Sequence, residues 1–173
     1  LDQRIQVDTG DELEELAEAQ RQLKEALERS QTLFERAAME GQMANMAAEA
    51  RDLADEQGRW NEDVARADSA KAARREESLA ARADSLASEL REAAGDMEKM
   101  QGEAQSQQLE SAADAAESAA QQMKQAAAAA QQGKPDAARR QGKQAEQQLD
   151  AMGQQLEQQR KDVQGEWKAE VME

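Results

Sequence analysis

The sequence contains no histidine, no cysteine, no tyrosine and one proline among its 173 residues. Without histidine there is no imidazole acid or base, no imidazole metal ligand and no Ser-His relay. Without cysteine there is no thiol nucleophile, no zinc-thiolate site and no disulfide. Large apolar residues are also scarce: Leu, Ile, Val and Phe together number 19, about half the share below which a highly charged chain is suspected of disorder. No apolar run approaches the roughly 20 residues of a membrane-spanning helix. Basic residues are outnumbered, with 22 Lys and Arg against 37 Asp and Glu and a formal net charge of −15. That balance argues against a nucleic-acid partner, which demands a basic stripe, and against charge-driven binding to an anionic bilayer.

What is present is helix-forming material. Ala occurs 38 times and Gln 25 times, accompanied by Glu, Arg and Lys, all residues with high helix propensity. The choice between an open acidic chain and thin-seamed helices rests on periodicity. Thr9-Gly10-Asp11-Glu12 has the form of a capping box, followed by a first turn rich in acids, and predicts a helix start after a short lead-in over 1–8. From there Leu13, Leu16, Leu23, Leu27, Phe34 and Ala37 repeat at spacings of three and four, with Gln20 and Ser30 as polar interruptions. Near 34–39 the phase slips, and a second seam takes over at Met39, Met43, Met46, Ala50, Leu53, Trp60, Val64 and Ala67. A slip of this kind rotates the seam without ending the helix, so the first helix is expected over about 10–67.

Asp68-Ser69 offers a cap for a second helix over about 70–102, with Gly102 as its boundary and a seam of Ala72, Leu79, Ala83, Leu86, Leu90, Ala93, Met97, Met100 and Ala104. A third helix over about 105–132 carries Leu109, Ala112, Ala116, Ala119, Met123, Ala126 and Ala130 on its seam. Gly133-Lys134-Pro135-Asp136 is the clearest stop and restart. Gly suits the left-handed position past a helix end, and Pro suits the first position of the next. The last helix, about 135–171, carries Ala138, Ala145, Leu149, Met152, Leu156, Val163 and Trp167. The fold class is therefore all-α: an elongated antiparallel coiled coil or long-helix bundle of about four helices. Two helical hairpins are expected, 9–104 and 105–173.

No residue set points to chemistry. Acid pairs at helical spacing are abundant, but di-metal bundle sites also need Glu-x-x-His pairs. The stretch from Asp52 fails the calcium-loop pattern: Glu56 supplies an acid at the fifth position, but Ala54 and Gln57 stand where an acid and a glycine belong. No catalytic residue, metal or cofactor is expected. Met39, Met43, Met46, Trp60 and Trp167 fall on seams, so core filling is the simpler reading. An exposed Met/Trp groove for a partner helix is the alternative. The bulk of the chain reads as a non-enzymatic scaffold or spacer that engages protein partners or a second copy of itself. A lipid-surface or stress-protective amphipathic role is a weaker reading, since the seams are narrow and the flanks acidic.

Two stretches together carry a family resemblance. One is Ala26-Leu27-Glu28-Arg29-Ser30-Gln31-Thr32-Leu33-Phe34-Glu35-Arg36-Ala37-Ala38-Met39-Glu40, leading to Leu53-Ala54-Asp55-Glu56-Gln57. The other is the Ala-rich helix with Gln132-Gly133-Lys134-Pro135-Asp136-Ala137-Ala138 and the Gln-rich helix to Arg160. Over about residues 10–165 this order resembles a bacterial membrane-anchored family of unknown function, with hydrophobic helices near the N-terminus and then a long Glu/Gln/Ala-rich helical region. Lys134 departs from the acidic or small cap of that pattern. The resemblance implies a segment held near the inner membrane by an anchor outside this sequence, on the extracytoplasmic side of the envelope, with the cytoplasm as the alternative. It supplies no site residues.

Overall fold

Four helices, and no strand, are found among the described residues of the computed structural model: α1 (Asp2–Asp63), α2 (Ser69–Gln101), α3 (Glu103–Gln131) and α4 (Pro135–Met172). Backbone is described for 2–101 and 103–172, and side chains for 9–100 and 103–172. The chain divides into two units, Leu1–Ala38 and Met39–Glu173, so the division falls inside α1 at the phase slip and not between two hairpins. Helix α1 already runs through 2–8, where a lead-in is expected, and the Thr9 capping box does not begin it. The expected break at Gly102 lies outside the described residues.

The two described connections follow their local chemistry. The α-helical assignment of α1 ends at Asp63, four residues short of the expected limit, although Val64 N and Ala67 N still donate to the Trp60 and Asp63 carbonyls. Asp68 then caps α2: its Oδ1 accepts from the amides of Ala70 (3.1 Å) and Lys71 (3.0 Å). That takes up two of the donors a helix start leaves orphaned. Between α3 and α4, Gly133 has φ +70°. Lys134 N donates to Ala129 O and Gly133 N to Ala130 O, both at 3.0 Å. This is the six-to-one and five-to-two pairing of a Schellman cap, and Pro135 opens α4 directly after it.

Within the second unit, residues 39–63 of α1 and helices α2, α3 and α4 form an antiparallel up-down bundle. Polar contacts fix the register. Arg82 of α2 reaches Glu49, Asp52 and Glu56 of α1. Across α2 and α3, Lys124 meets Asp84 and Arg91 meets Glu117. Gln148 of α4 donates to Ser118 of α3, and Gln164 of α4 to Glu40 of α1.

The core is built from the seams. Met43, Met46, Leu53, Trp60, Leu86, Leu90, Met97, Leu109, Met123, Leu149, Met152 and Leu156 are its largest fully buried side chains. Around them lie buried alanines, including Ala83, Ala93, Ala112, Ala116, Ala119 and Ala126. An alanine buries little area, but small side chains let backbones approach and recover dispersion contacts. Gly153 shows how close: a methyl placed on it would lie 3.2 Å from Arg51 Cγ and 3.5 Å from Ala50 Cβ.

Candidate interaction surface

The five residues weighed as a partner groove are all inside the bundle. Met39, Met43, Met46, Trp60 and Trp167 are buried members of one hydrophobic cluster, so an exposed groove at these positions is corrected to core. The physical reason is that all five stand on seams that another helix covers. Trp60 is also anchored, its Nε1 donating to the Ala72 carbonyl at 2.9 Å.

The large apolar side chains that remain outside lie elsewhere. In the first unit Leu13, Leu16, Leu23, Leu27, Leu33 and Phe34 are exposed, with Leu23 and Leu27 at 62% and Phe34 at 76%. Five of the six stand on the first seam, and Ala17, Ala19, Ala26 and Ala37 flank or continue it. The rest of the helix surface is charged or polar and serves itself. Arg21 pairs with Glu18 at 2.6 Å and Lys24 with Glu28 at 3.8 Å. Gln22 donates to Glu18 and Gln31 to Glu35. Ser30, a polar interruption on the seam, donates back to the Ala26 carbonyl at 2.9 Å. The result is a helix with one apolar stripe and a polar face satisfied from within.

Inside the bundle sits a second candidate, a polar layer absent from the sequence reading. Gln57 Nε2 donates to Glu76 Oε1 at 2.8 Å and to Asn61 Oδ1 at 3.1 Å. Asn61 Nδ2 donates to Glu146 Oε2 at 2.9 Å, and the main-chain carbonyl of Asn61 accepts from Arg139 Nε at 3.1 Å. Glu76 is fully buried. Burial pushes its carboxyl up to about 8, outweighing the Gln57 hydrogen bond and the Arg75 charge that favour the ionised form. Glu76 Oε2 and Gln57 Oε1 are buried without a hydrogen-bond partner. The layer is closed by a glycine: a methyl on Gly142 would lie 1.9 Å from Asn61 Oδ1. A signal for it exists in the sequence. Positions 57, 76 and 142 are the gaps in the spacing Leu53–Trp60, Ala72–Leu79 and Ala138–Ala145.

That layer can hold a proton and fix helix register, since buried polar groups find partners in one alignment only. It presents no nucleophile paired with a base. No group of three or more metal-ligating side chains occurs among the described residues. An open groove of about 360 Å³ lies at the α1–α2 connection, walled by Trp60 and Val64 and edged by Arg66, Lys71 and Arg75. Arg75 there is already engaged by Asp63 at 3.4 Å. No described helix is long and apolar enough to cross a membrane. Comparison of the chain with protein families, curated proteins and solved structures finds no match.

Proposed function

We propose that the chain is a non-enzymatic helical scaffold that holds protein partners through the first part of α1. The observation that carries this reading is the unequal placement of large apolar residues. The bundle unit buries both Trp, all seven of its Leu and six of its eight Met, leaving Val171 and Met172 exposed at its end, whereas residues 13–34 expose five leucines and a phenylalanine. A contiguous exposed apolar stripe bordered by charge is the usual mark of a protein interface. The acidic flanks disfavour an anionic lipid surface as its occupant.

The family resemblance adds a location to this reading, beside the bacterial inner membrane on its outer face. The full-length protein would then sediment with inner membranes and be reached by protease added outside the spheroplast.

In-cell photo-crosslinking tests the scaffold reading. A photoreactive residue at Leu23 or Leu27 should yield discrete protein adducts, while one at exposed Gln121 of the bundle should not. Absence of any adduct from both seam positions would refute it.

A further inference from the structure

The apolar stripe of the first unit carries information about its own occupant. Counted in heptads, residues 13, 20, 27 and 34 are a positions and 16, 23, 30 and 37 are d positions. When two copies of this segment run antiparallel and centre on residue 25, every a residue faces a d residue of the other copy. Leu23 then meets Leu27, Leu16 meets Phe34 and Leu13 meets Ala37. The two polar interruptions meet each other, Gln20 against Ser30, once on each side of the centre. Sliding one copy by a heptad sets Ser30 against Leu13 or Leu27 instead. We infer that residues 13–37 form an antiparallel coiled coil with the same segment of a second copy of this chain.

Four features support that pairing over others. Charge chooses the direction. Residues 9–18 hold five acids and no base, whereas 19–38 hold three acids and four bases. A parallel pair would stack ten acids at one end, whereas an antiparallel pair separates the two acidic ends and sets each beside residues 32–41, which hold two acids and one base. The flanks permit close approach: Ala26 faces Ala26, Ala19 faces Leu33 and Ala17 faces Gln31. Lys24 meets its own counterpart, and each Lys24 already has Glu28 at 3.8 Å to offset that repulsion. The polar layers also cost little to bury, because Ser30 has its proton on the Ala26 carbonyl and its oxygen remains free to accept from Gln20. Covering the stripe would bury roughly 1,200 Å² over both copies, the lower end of specific interfaces.

This inference deepens the scaffold reading and rests on it, naming the first occupant of the stripe. Sedimentation equilibrium of the purified full chain should give twice the 19.0 kDa monomer mass. Leu23→Glu with Leu27→Glu should weaken the dimer at least tenfold and leave the emission of Trp60 and Trp167 unchanged, since both leucines are exposed and both tryptophans lie in the bundle. Direction is read by crosslinking, because the natural chain has no cysteine. A mixture of Q20C and S30C chains should form the Q20C–S30C disulfide dimer, and neither variant alone should crosslink efficiently. A monomer at 100 µM and above, or Q20C crosslinking to itself, overturns the inference. A monomeric purified chain that still gives in-cell adducts to a different protein at Leu23 overturns it alone and leaves the scaffold reading standing. Loss of both signals removes both.

Discussion

Replacing Glu76 with Gln should stabilise the bundle at neutral pH and flatten its pH dependence. A carboxyl raised from 4.5 to about 8 holds its proton in the native state after the unfolded chain has released it. The native state then binds more protons between those two values, so this group's contribution to stability is complete below pH 4.5. It declines as pH rises toward 8, at up to about 1.4 kcal/mol per pH unit. At pH 7 the deficit is roughly 3 kcal/mol, approaching about 5 kcal/mol above pH 8. Glutamine has nearly the same shape, keeps an oxygen for the Gln57 donor and has no proton to lose. Thermal melts at pH 5, 6, 7 and 8 provide the assay. At about 3 °C per kcal/mol for a chain of this length, the variant should gain roughly 10 °C over the natural chain at pH 7 and almost nothing near pH 4.5. The comparison cancels the titration of the many surface acids, which both chains share. A difference in Tm that does not change with pH would refute the reasoning, because it would mean that Glu76 is ionised in the fold.

Two further substitutions probe the packing around that layer. Gly142→Ala should destabilise by about 1–3 kcal/mol in urea unfolding, because its methyl would collide with Asn61 Oδ1. Gly165→Ala, in the same helix with open space around it, should instead gain up to about 1 kcal/mol from helix propensity. Arg82→Ala leaves Glu49, Asp52 and Glu56 without their shared cation. It should cost about 1 kcal/mol at low salt, and the cost should shrink when the same melts are run in 0.5 M NaCl.

Much of this fold is legible in spacing alone. The seams of α2, α3 and α4 reappear as buried stripes, apart from half-buried Met100 and exposed Ala104, and Gly133-Lys134-Pro135 forms the turn its chemistry demands. The phase slip near 34–39 coincides with the division between the two units. A change of seam phase means that a helix changes the direction in which it buries residues, and the two units divide at that point. The helix end near residue 63 was less legible, because hydrogen bonding continues through Ala67 while Asp68 is already capping the next helix. Periodicity also cannot tell a seam that is covered within the chain from one that is not. Leu23 and Leu53 look alike in sequence, yet Leu53 is fully buried and Leu23 is 62% exposed. The polar layer was hidden for a related reason. A gap in a seam reads as an interruption until the partners reveal that Gln57, Glu76 and Gly142 interrupt their seams at one level of the bundle.

The two units meet the cost of forming a helix in different ways. In the bundle, each helix is held by neighbours, so its alanines need bury only a little area each. Residues 9–38 are almost entirely exposed, and an unpacked segment continued from a formed helix gains little per residue, because propagation is close to neutral in water. Covering the Leu23–Leu27 stripe and keeping the segment helical are therefore one equilibrium, and mass action should link them. The chain carries its own means of separating the signals. Both tryptophans lie in the bundle unit, and the first unit contributes 38 of 173 residues, about a fifth of the helical ellipticity. Dilution through the dimer dissociation constant should lower the 222 nm signal by up to that fraction while tryptophan emission holds constant. Leu23→Glu with Leu27→Glu should show the lowered ellipticity at every concentration. Ellipticity that stays constant on dilution as the mass falls from dimer to monomer would mean that the segment holds its helix by local propensity and internal ion pairs alone, and that the stripe stabilises association without being needed for the fold.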